Sequence, residues 1–236
     1  MNIAILTAGG KGTRTHQDIP KQFITVENIP IIIYTLLAFE RHPNIDEICV
    51  VILEGWDQIL SAYAKQFNIT KLKYIVTGGE TGQESIFNGL KAIRENHKDD
   101  DVVIVHDGNR PMVSQDIITD NLVKQKKYGS AVTTIPCTEV VFLSKNRLYS
   151  DKSLPRENLL RTQTPHSYYL GELWDAHLQA KELGINNTAA SCSLMDSLGK
   201  KSYFSNGSEK NLKITTTDDI EIFKALLNAK NDEWIK

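Results

Sequence analysis

The chain has 236 residues, 41% of them apolar and 24% charged, which is enough for one substantial hydrophobic core and predicts a single domain over residues 1–236. Its formal net charge of -2 excludes a global field that would draw in nucleic acid or an anionic membrane surface. Cys49, Cys137 and Cys192 are odd in number and widely spaced, which suits a reducing compartment and argues against a clustered metal site. The apolar run that starts at Met1 is too short to span a membrane and lacks the basic flank of a secretion signal, so a cytoplasmic protein is predicted.

In chain order, Ile3–Leu6 reads as a strand that runs straight into the glycine-rich stretch Ala8-Gly9-Gly10-Lys11-Gly12-Thr13-Arg14. Pro30–Glu40 has helical spacing at Ile33, Leu36, Leu37 and Glu40. Ile48–Leu53 is an almost unbroken β-branched run, the pattern of a strand covered on both faces. A helix over Trp56–Phe67, a strand over Lys73–Val76 and a helix over Gln83–Asn96 follow. Then come a strand over Asp101–Val105 that ends at His106-Asp107, a helix over Asp116–Tyr128 and a strand over Ala131–Ile135. The stretch 139–165 reads as an extended β-arm with a polar turn, and its apolar residues need a surface to cover them, for which a second copy of the chain is a candidate. Helical periodicity returns over Gly171–Leu183 and Thr217–Ala229, where Asp218 and Asp219 complement the helix dipole.

Alternating strands and helices predict an α/β fold: a Rossmann-like three-layer α/β/α sandwich with a mostly parallel sheet. Such a sheet gathers its strand ends at one rim, where ligands bind. The Gly9-Gly10, Gly78-Gly79 and His106-Asp107 segments all follow strands and are predicted to meet there.

The first glycine stretch lets backbone N–H groups approach phosphate oxygens closely. Lys11, Arg14 and Lys21 add positive charge, and Pro20 stiffens the chain before Lys21. The stretch lacks the Gly-Lys-Ser/Thr ending of a P-loop. Its spacing also differs from the dinucleotide fingerprint, and no acid follows about twenty residues on at a second strand end, which argues against a nicotinamide-dependent oxidoreductase.

The stretch 8–14 followed by Pro20-Lys21-Gln22-Phe23 resembles the signature of sugar-phosphate nucleotidyltransferases, of nucleotide-diphospho-sugar transferase fold. It is most similar to the branch of methylerythritol-phosphate and ribitol-5-phosphate cytidylyltransferases. Four further blocks agree in order: Gly78-Gly79-Glu80 with Ser85, His106-Asp107 with Arg110-Pro111, Gln163-Thr164-Pro165, and Asn211-Leu212-Lys213-Ile214-Thr215 with Asp218. The resemblance implies transfer of CMP from CTP to a phosphorylated sugar alcohol, with release of pyrophosphate. By resemblance Arg14, Lys21 and Lys213 are catalytic, holding the triphosphate and stabilising charge at the α-phosphorus. Ala8, Gly9, Gly10, Gly12, Gly79, Glu80 and Ser85 bind the nucleotide. Asp107 orients the polyol hydroxyls or sits near Mg²⁺, the implied divalent cofactor. Arg156 clamps the acceptor phosphate, across a homodimer interface formed by the arm. His106 is expected to be a satisfied structural histidine, and Arg110-Pro111 to brace the loop carrying Asp107.

Four positions depart from the family pattern. Gly82 stands where an arginine is usual, Glu139-Val140 where the arm carries an Asp-Thr pair, Thr188-Ala189-Ala190 where a Thr-Asp pair is common, and Thr15 follows Arg14 in place of a methionine. The nucleotide half is thus intact and the acceptor half altered. The Gly-Gly-x-Gly-Thr-Arg form and Asn211–Thr216 look closer to the ribitol-phosphate branch, which implies ribitol 5-phosphate, or another pentitol or sugar phosphate, in surface polymer or capsule synthesis. Methylerythritol phosphate in isoprenoid synthesis is the alternative acceptor, and a non-catalytic nucleotide-binding regulatory module is the alternative of another class.

Overall fold

The computed structural model describes residues 1–10 and 19–231. Lys11, Gly12 and Arg14 lie outside the described residues.

Strand β1 (Asn2–Ala8) is followed by a 3-10 turn at Lys21–Phe23, the two-residue strands β2 (Thr25–Val26) and β3 (Ile29–Pro30), and helix α1 (Ile31–Glu40). Next come β4 (Glu47–Ile52), α2 (Asp57–Gln66), β5 (Leu72–Thr77), α3 (Gly82–Arg94), β6 (Val102–Asp107), α4 (Gln115–Tyr128) and β7 (Ser130–Pro136). The chain continues with β8 (Val141–Leu143), β9 (Lys152–Leu154), β10 (Leu160–Tyr169), α5 (Leu170–Glu182), α6 (Ser191–Ser197), β11 (Phe204–Asn206) and α7 (Thr217–Asn231). The seven-stranded sheet has the order β11-β7-β10-β6-β1-β4-β5. Among the described residues of this sheet, only β10 runs antiparallel to its neighbours; the sheet's other pairings are parallel.

The period of two along β1 separates the layers. Ala4 and Leu6 pack with Ile32, Leu36, Val50 and Ile118 on one face. Ile3 and Ile5 pack with Val51, Leu90, Val103 and Leu173 on the other. Residues buried on both sides explain the unbroken apolar runs of β1 and β4. A third cluster, Val26, Ile31, Ile214, Ile220 and Phe223, docks α7.

Helix limits follow local chemistry. Thr81 caps α3 by accepting the Glu84 N–H at 3.1 Å. Ser114 caps α4, and Gly129, at φ +87°, ends it in the left-handed conformation.

The strand order reverses between β1 and β6, which places a crevice at their carboxyl ends. In that register Thr7 lies opposite Asp107. The polar stretch after β7 differs from the expected arm of 139–165. The β8–β9 hairpin is the arm, whereas from Leu160 onward the chain enters the central sheet as β10. The β7–β10 register shifts between Thr162 and His166, and this irregularity falls on Gln163-Thr164-Pro165.

Candidate active site

A cavity of about 440 Å³ opens at the crevice, and its lining includes Ala8, Gly9, Gly10, Lys21, Asp107 and Lys213. Gly79, Glu80 and Ser85 line it as well, so three loops that are distant in sequence converge as their positions after strands predict. Arg156 is not part of this lining; it is exposed on the arm side, where its Nη1 donates to the Thr138 carbonyl at 3.3 Å. Arg14 and Gly12, expected at this site, fall outside the described residues.

The glycine loops are held from behind. Gln22 is 2% exposed and its Nε2 donates to the Ala8 carbonyl at 2.6 Å. The 3-10 turn that carries Gln22 also places Lys21, and Phe23 stacks on Trp56 with ring centroids 4.5 Å apart. The Ser85 hydroxyl accepts the Gly79 N–H at 3.1 Å and donates to the Thr81 carbonyl at 2.9 Å. Its role is therefore to shape the second glycine loop. A Cβ at Gly78 would meet Ser85 Oγ at 3.2 Å and Gly9 Cα at 3.4 Å, so the two loops approach each other as side-chain-bearing residues would not.

Asp107 is the electrostatic centre. Its Oδ1 accepts from Lys213 Nζ at 2.8 Å and its Oδ2 from Arg110 Nε at 2.9 Å, while its N–H donates to Thr164 Oγ1 at 3.0 Å. Burial opposes ionisation of Asp107, but the Lys213 and Arg110 charges outweigh it and hold the carboxyl well below the usual carboxylate range. Arg110 Nη1 also donates to the Asn211 carbonyl at 2.7 Å, and the Ile214 N–H donates to the Asn109 carbonyl at 2.9 Å. Lys213 is thereby pinned between two anchors on the β6 loop. Arg110 braces this loop as the sequence reading expects, and it also lines the cavity.

His106 and His166 are neutral structural groups at the cavity floor. His106 Nε2 donates to the Arg110 carbonyl at 3.3 Å, so Nδ1, 3.0 Å from Thr164 Oγ1, is the acceptor. His166 Nε2 donates to the Gln163 carbonyl at 2.7 Å, which leaves Nδ1 to accept from Ser191 at 2.9 Å. Burial pushes His106 down to about 3 and His166 down to about 4.

Several residues that matter here were not assigned roles from sequence: Gln22, Arg110 as a lining cation, Thr164, and the Thr188–Ser191 wall. The first three lie inside the recognised motif blocks, so position beside a motif was the available signal. Taken together, the described lining sets three cations, Lys21, Arg110 and Lys213, against two carboxylates, Glu80 and Asp107, beside a backbone-walled recess. That arrangement suits a polyanion with a planar group at one end.

Comparison with known proteins gives the same picture. The chain matches the family model described as IspD, 2-C-methyl-D-erythritol 4-phosphate cytidylyltransferase, over residues 2–229. It is 41% identical over 232 residues to a ribitol-5-phosphate cytidylyltransferase of Lacticaseibacillus paracasei, covering 98% of this chain and 99% of that one. It is also 41% identical over 237 residues to a ribitol-5-phosphate cytidylyltransferase of Vibrio parahaemolyticus, covering 98% of both. The crystal structure of 4-diphosphocytidyl-2C-methyl-D-erythritol synthase from Anaerococcus prevotii superposes with a TM-score of 0.82 at 26% identity, covering 96% of each chain.

Proposed function

The chain belongs to the IspD family of cytidylyltransferases, and from that premise we propose that it transfers CMP from CTP to ribitol 5-phosphate and releases pyrophosphate. The observation that carries this reading is the meeting of the two glycine loops with Lys21 and the Lys213–Asp107–Arg110 cluster in one cavity. The choice of ribitol 5-phosphate draws on the two relatives at 41% identity, which carry that activity in their names.

In this reading an oxygen of the acceptor phosphate attacks the α-phosphorus of CTP. The new P–O bond forms as the bond to the α–β bridging oxygen breaks, and pyrophosphate leaves with that electron pair. The attacking oxygen is already ionised near neutral pH, so no proton has to be removed. The neutral, hydrogen-bonded His106 and His166 are compatible with a site that needs no general base. What the reaction needs is compensation for two anions brought together, and Lys21 and Lys213 supply it, with Arg14 as a further cation. Asp107 aims Lys213 and is available to the acceptor hydroxyls. Gly79, Glu80 and the Ala8–Gly10 backbone hold the base.

The donor set fits a divalent ion that arrives with the triphosphate. No group of three or more His, Cys, Asp or Glu forms a metal cage among the described residues, whereas Mg²⁺ in triphosphate sites takes one or two carboxylates plus phosphate oxygens. Both Asp107 oxygens accept from cations, Lys213 and Arg110, so Asp107 would hold Mg²⁺ in exchange for one of those pairs and in place of the acceptor hydroxyls, and the ion would supply charge neutralisation at the phosphates.

The protein acts, in this reading, as one nucleotidyltransferase domain in the cytoplasm, as a homodimer, in the synthesis of a surface-polymer precursor. Val140, Phe142, Leu148 and Tyr149 on the arm are all at least 60% exposed, a surface that a second copy would cover while bringing its Arg156 to the acceptor phosphate. Among the described residues no helix is long and apolar enough to cross a membrane. Turnover of ribitol 5-phosphate against 2-C-methyl-D-erythritol 4-phosphate, each with CTP, tests the assignment. A kcat/KM at least about tenfold higher for ribitol 5-phosphate is expected, and the reverse preference would return the chain to the isoprenoid reading.

A further inference from the structure

The first turn of α3 touches two walls of the cavity through adjacent side chains. Ser85 and Glu84 face the nucleotide loop: Ser85 Oγ accepts from Gly79 N–H, and a Glu84 carboxylate oxygen accepts from Glu80 N–H at 2.8 Å. Gln83, 8% exposed, turns the other way and engages the segment between α5 and α6. Its Nε2 donates to the Ile185 carbonyl at 2.7 Å, and its Oε1 accepts from the Thr188 N–H at 2.9 Å and the Thr188 hydroxyl at 3.1 Å.

Residues 185–190 belong to no helix or strand. Gln83 holds this segment at one end, beside a longer bond of 3.5 Å from Thr81 Oγ1 to the Asn186 carbonyl, and the His166–Ser191 hydrogen bond holds it at the other. Thr188, Ala189, Ala190 and Ser191 between these anchors line the cavity, and Gln83 itself does not. The nucleotide loop keeps its own supports from Gln22, Glu84 and Ser85, none of which involves Gln83. Loss of the Gln83 contacts therefore leaves the CTP loop in place and releases the wall bordering the rest of the cavity.

We propose that Gln83 is a positioning residue for the acceptor phosphopolyol: it holds Thr188 and the Ala189-Ala190 wall so that the acceptor is oriented beside the nucleotide. The part concerning the acceptor rests on the cytidylyltransferase reading. A near-isosteric side chain without hydrogen-bonding capacity breaks the tether while preserving volume. A carboxylate in its place keeps the two acceptor contacts to Thr188 but sets an acceptor oxygen against the Ile185 carbonyl.

The test uses the full-length protein with Gln83→Met and Gln83→Glu, CTP and ribitol 5-phosphate. For Gln83→Met the acceptor KM is expected to rise about tenfold or more, with kcat within about threefold and CTP affinity within about twofold. Gln83→Glu is expected to raise the acceptor KM as well, because its carboxylate repels the Ile185 carbonyl. Amide hydrogen exchange of residues 185–190 in the unliganded protein is expected to quicken in Gln83→Met, a readout that requires no turnover. An unchanged acceptor KM, or acceptor and CTP affinities that fall together, would overturn the proposal. If the unaltered protein does not turn over ribitol 5-phosphate, the functional reading fails separately, and unchanged exchange at 185–190 would then overturn the tether itself.

Discussion

Lys213 Nζ lies 2.8 Å from Asp107 Oδ1, a pair 106 residues apart in sequence that is brought together by the hydrogen bonds that stitch Asn211 and Ile214 to the loop after β6. Lys213 is 42% exposed on the cavity side, so the pair fixes a direction for the ammonium without burying it. In the proposed reaction an incoming phosphate would meet a cation that is already aimed, and little of the binding energy would be needed to order it.

Removing that cation should act on the chemical step. Lys213→Met is expected to lower kcat/KM by roughly 10²–10³, the range found when a donor to developing charge is deleted. Asp107→Asn keeps the shape, removes the charge and leaves one acceptor oxygen for Lys213 and Arg110 together, and it should lower kcat/KM by at least about tenfold. Steady-state kinetics with CTP varied measures both, and a Lys213→Met enzyme with unaltered kcat would remove Lys213 from the catalytic role.

Gln22 supports the first glycine loop from a fully enclosed position, so Gln22→Leu leaves the Ala8 carbonyl without its partner. A stability loss of about 1–3 kcal/mol is expected, together with a weaker affinity for CTP. Denaturant unfolding and calorimetric titration of CTP check the two effects independently.

Acid should destabilise the fold through its buried histidines. Burial depresses His106 to about 3, and His166 and His177 to about 4, whereas an unfolded histidine titrates near 6.5. Between those values the unfolded chain binds protons that the native state refuses. Stability is therefore full above about pH 6.5 and declines as pH falls toward the folded values, by up to about 1.4 kcal/mol per pH unit for each histidine. Asp107, also depressed, keeps its contribution through this window and loses it only at lower pH. Urea unfolding at pH 7 and pH 5 should show the decline, and His166→Gln should lessen it by one histidine's share, with His106 and His177 still contributing.

The exposed apolar residues of the arm predict self-association. Simultaneous Phe142→Ser, Leu148→Ser and Tyr149→Ser substitutions should convert a particle of twice the chain mass into a single chain. Light scattering distinguishes the two, and an unaltered protein that runs as a single chain would refute the arm interface.

The parallel core was legible in sequence because its strands are buried on both faces and read as apolar runs, as at Ile3–Leu6 and Ile48–Ile52. Helix starts at Thr81 and Ser114 carry ordinary capping chemistry. Strand β10 escaped notice for a different physical reason. Its buried residues include Gln163, His166 and Ser167, whose polarity resembles a loop until their hydrogen bonds to Ser208, Ser191 and Asn121 are seen. Those partners are distant in sequence, and no local pattern reports them. The three-residue strand β11 is likewise stabilised by tertiary pairing with β7, whereas β2 and β3 pair with each other across Glu27-Asn28, and all three are too short to leave a periodicity to read. At the site, the motif blocks located Lys21, Asp107 and Lys213. The supports of the cavity walls, Gln22 behind the first glycine loop and Gln83 behind the Thr188 segment, are ordinary glutamines until the geometry shows what each amide holds.

The most direct measurement is a quantitative balance of products with purified protein, CTP, Mg²⁺ and ribitol 5-phosphate, following the nucleotide product by phosphorus NMR and pyrophosphate by an enzyme-coupled assay. The account predicts one CDP-linked polyol for each pyrophosphate released, with both absent when either substrate is omitted. Tight CTP binding with neither product formed across a panel of polyol phosphates would contradict it and leave a nucleotide-binding module in its place.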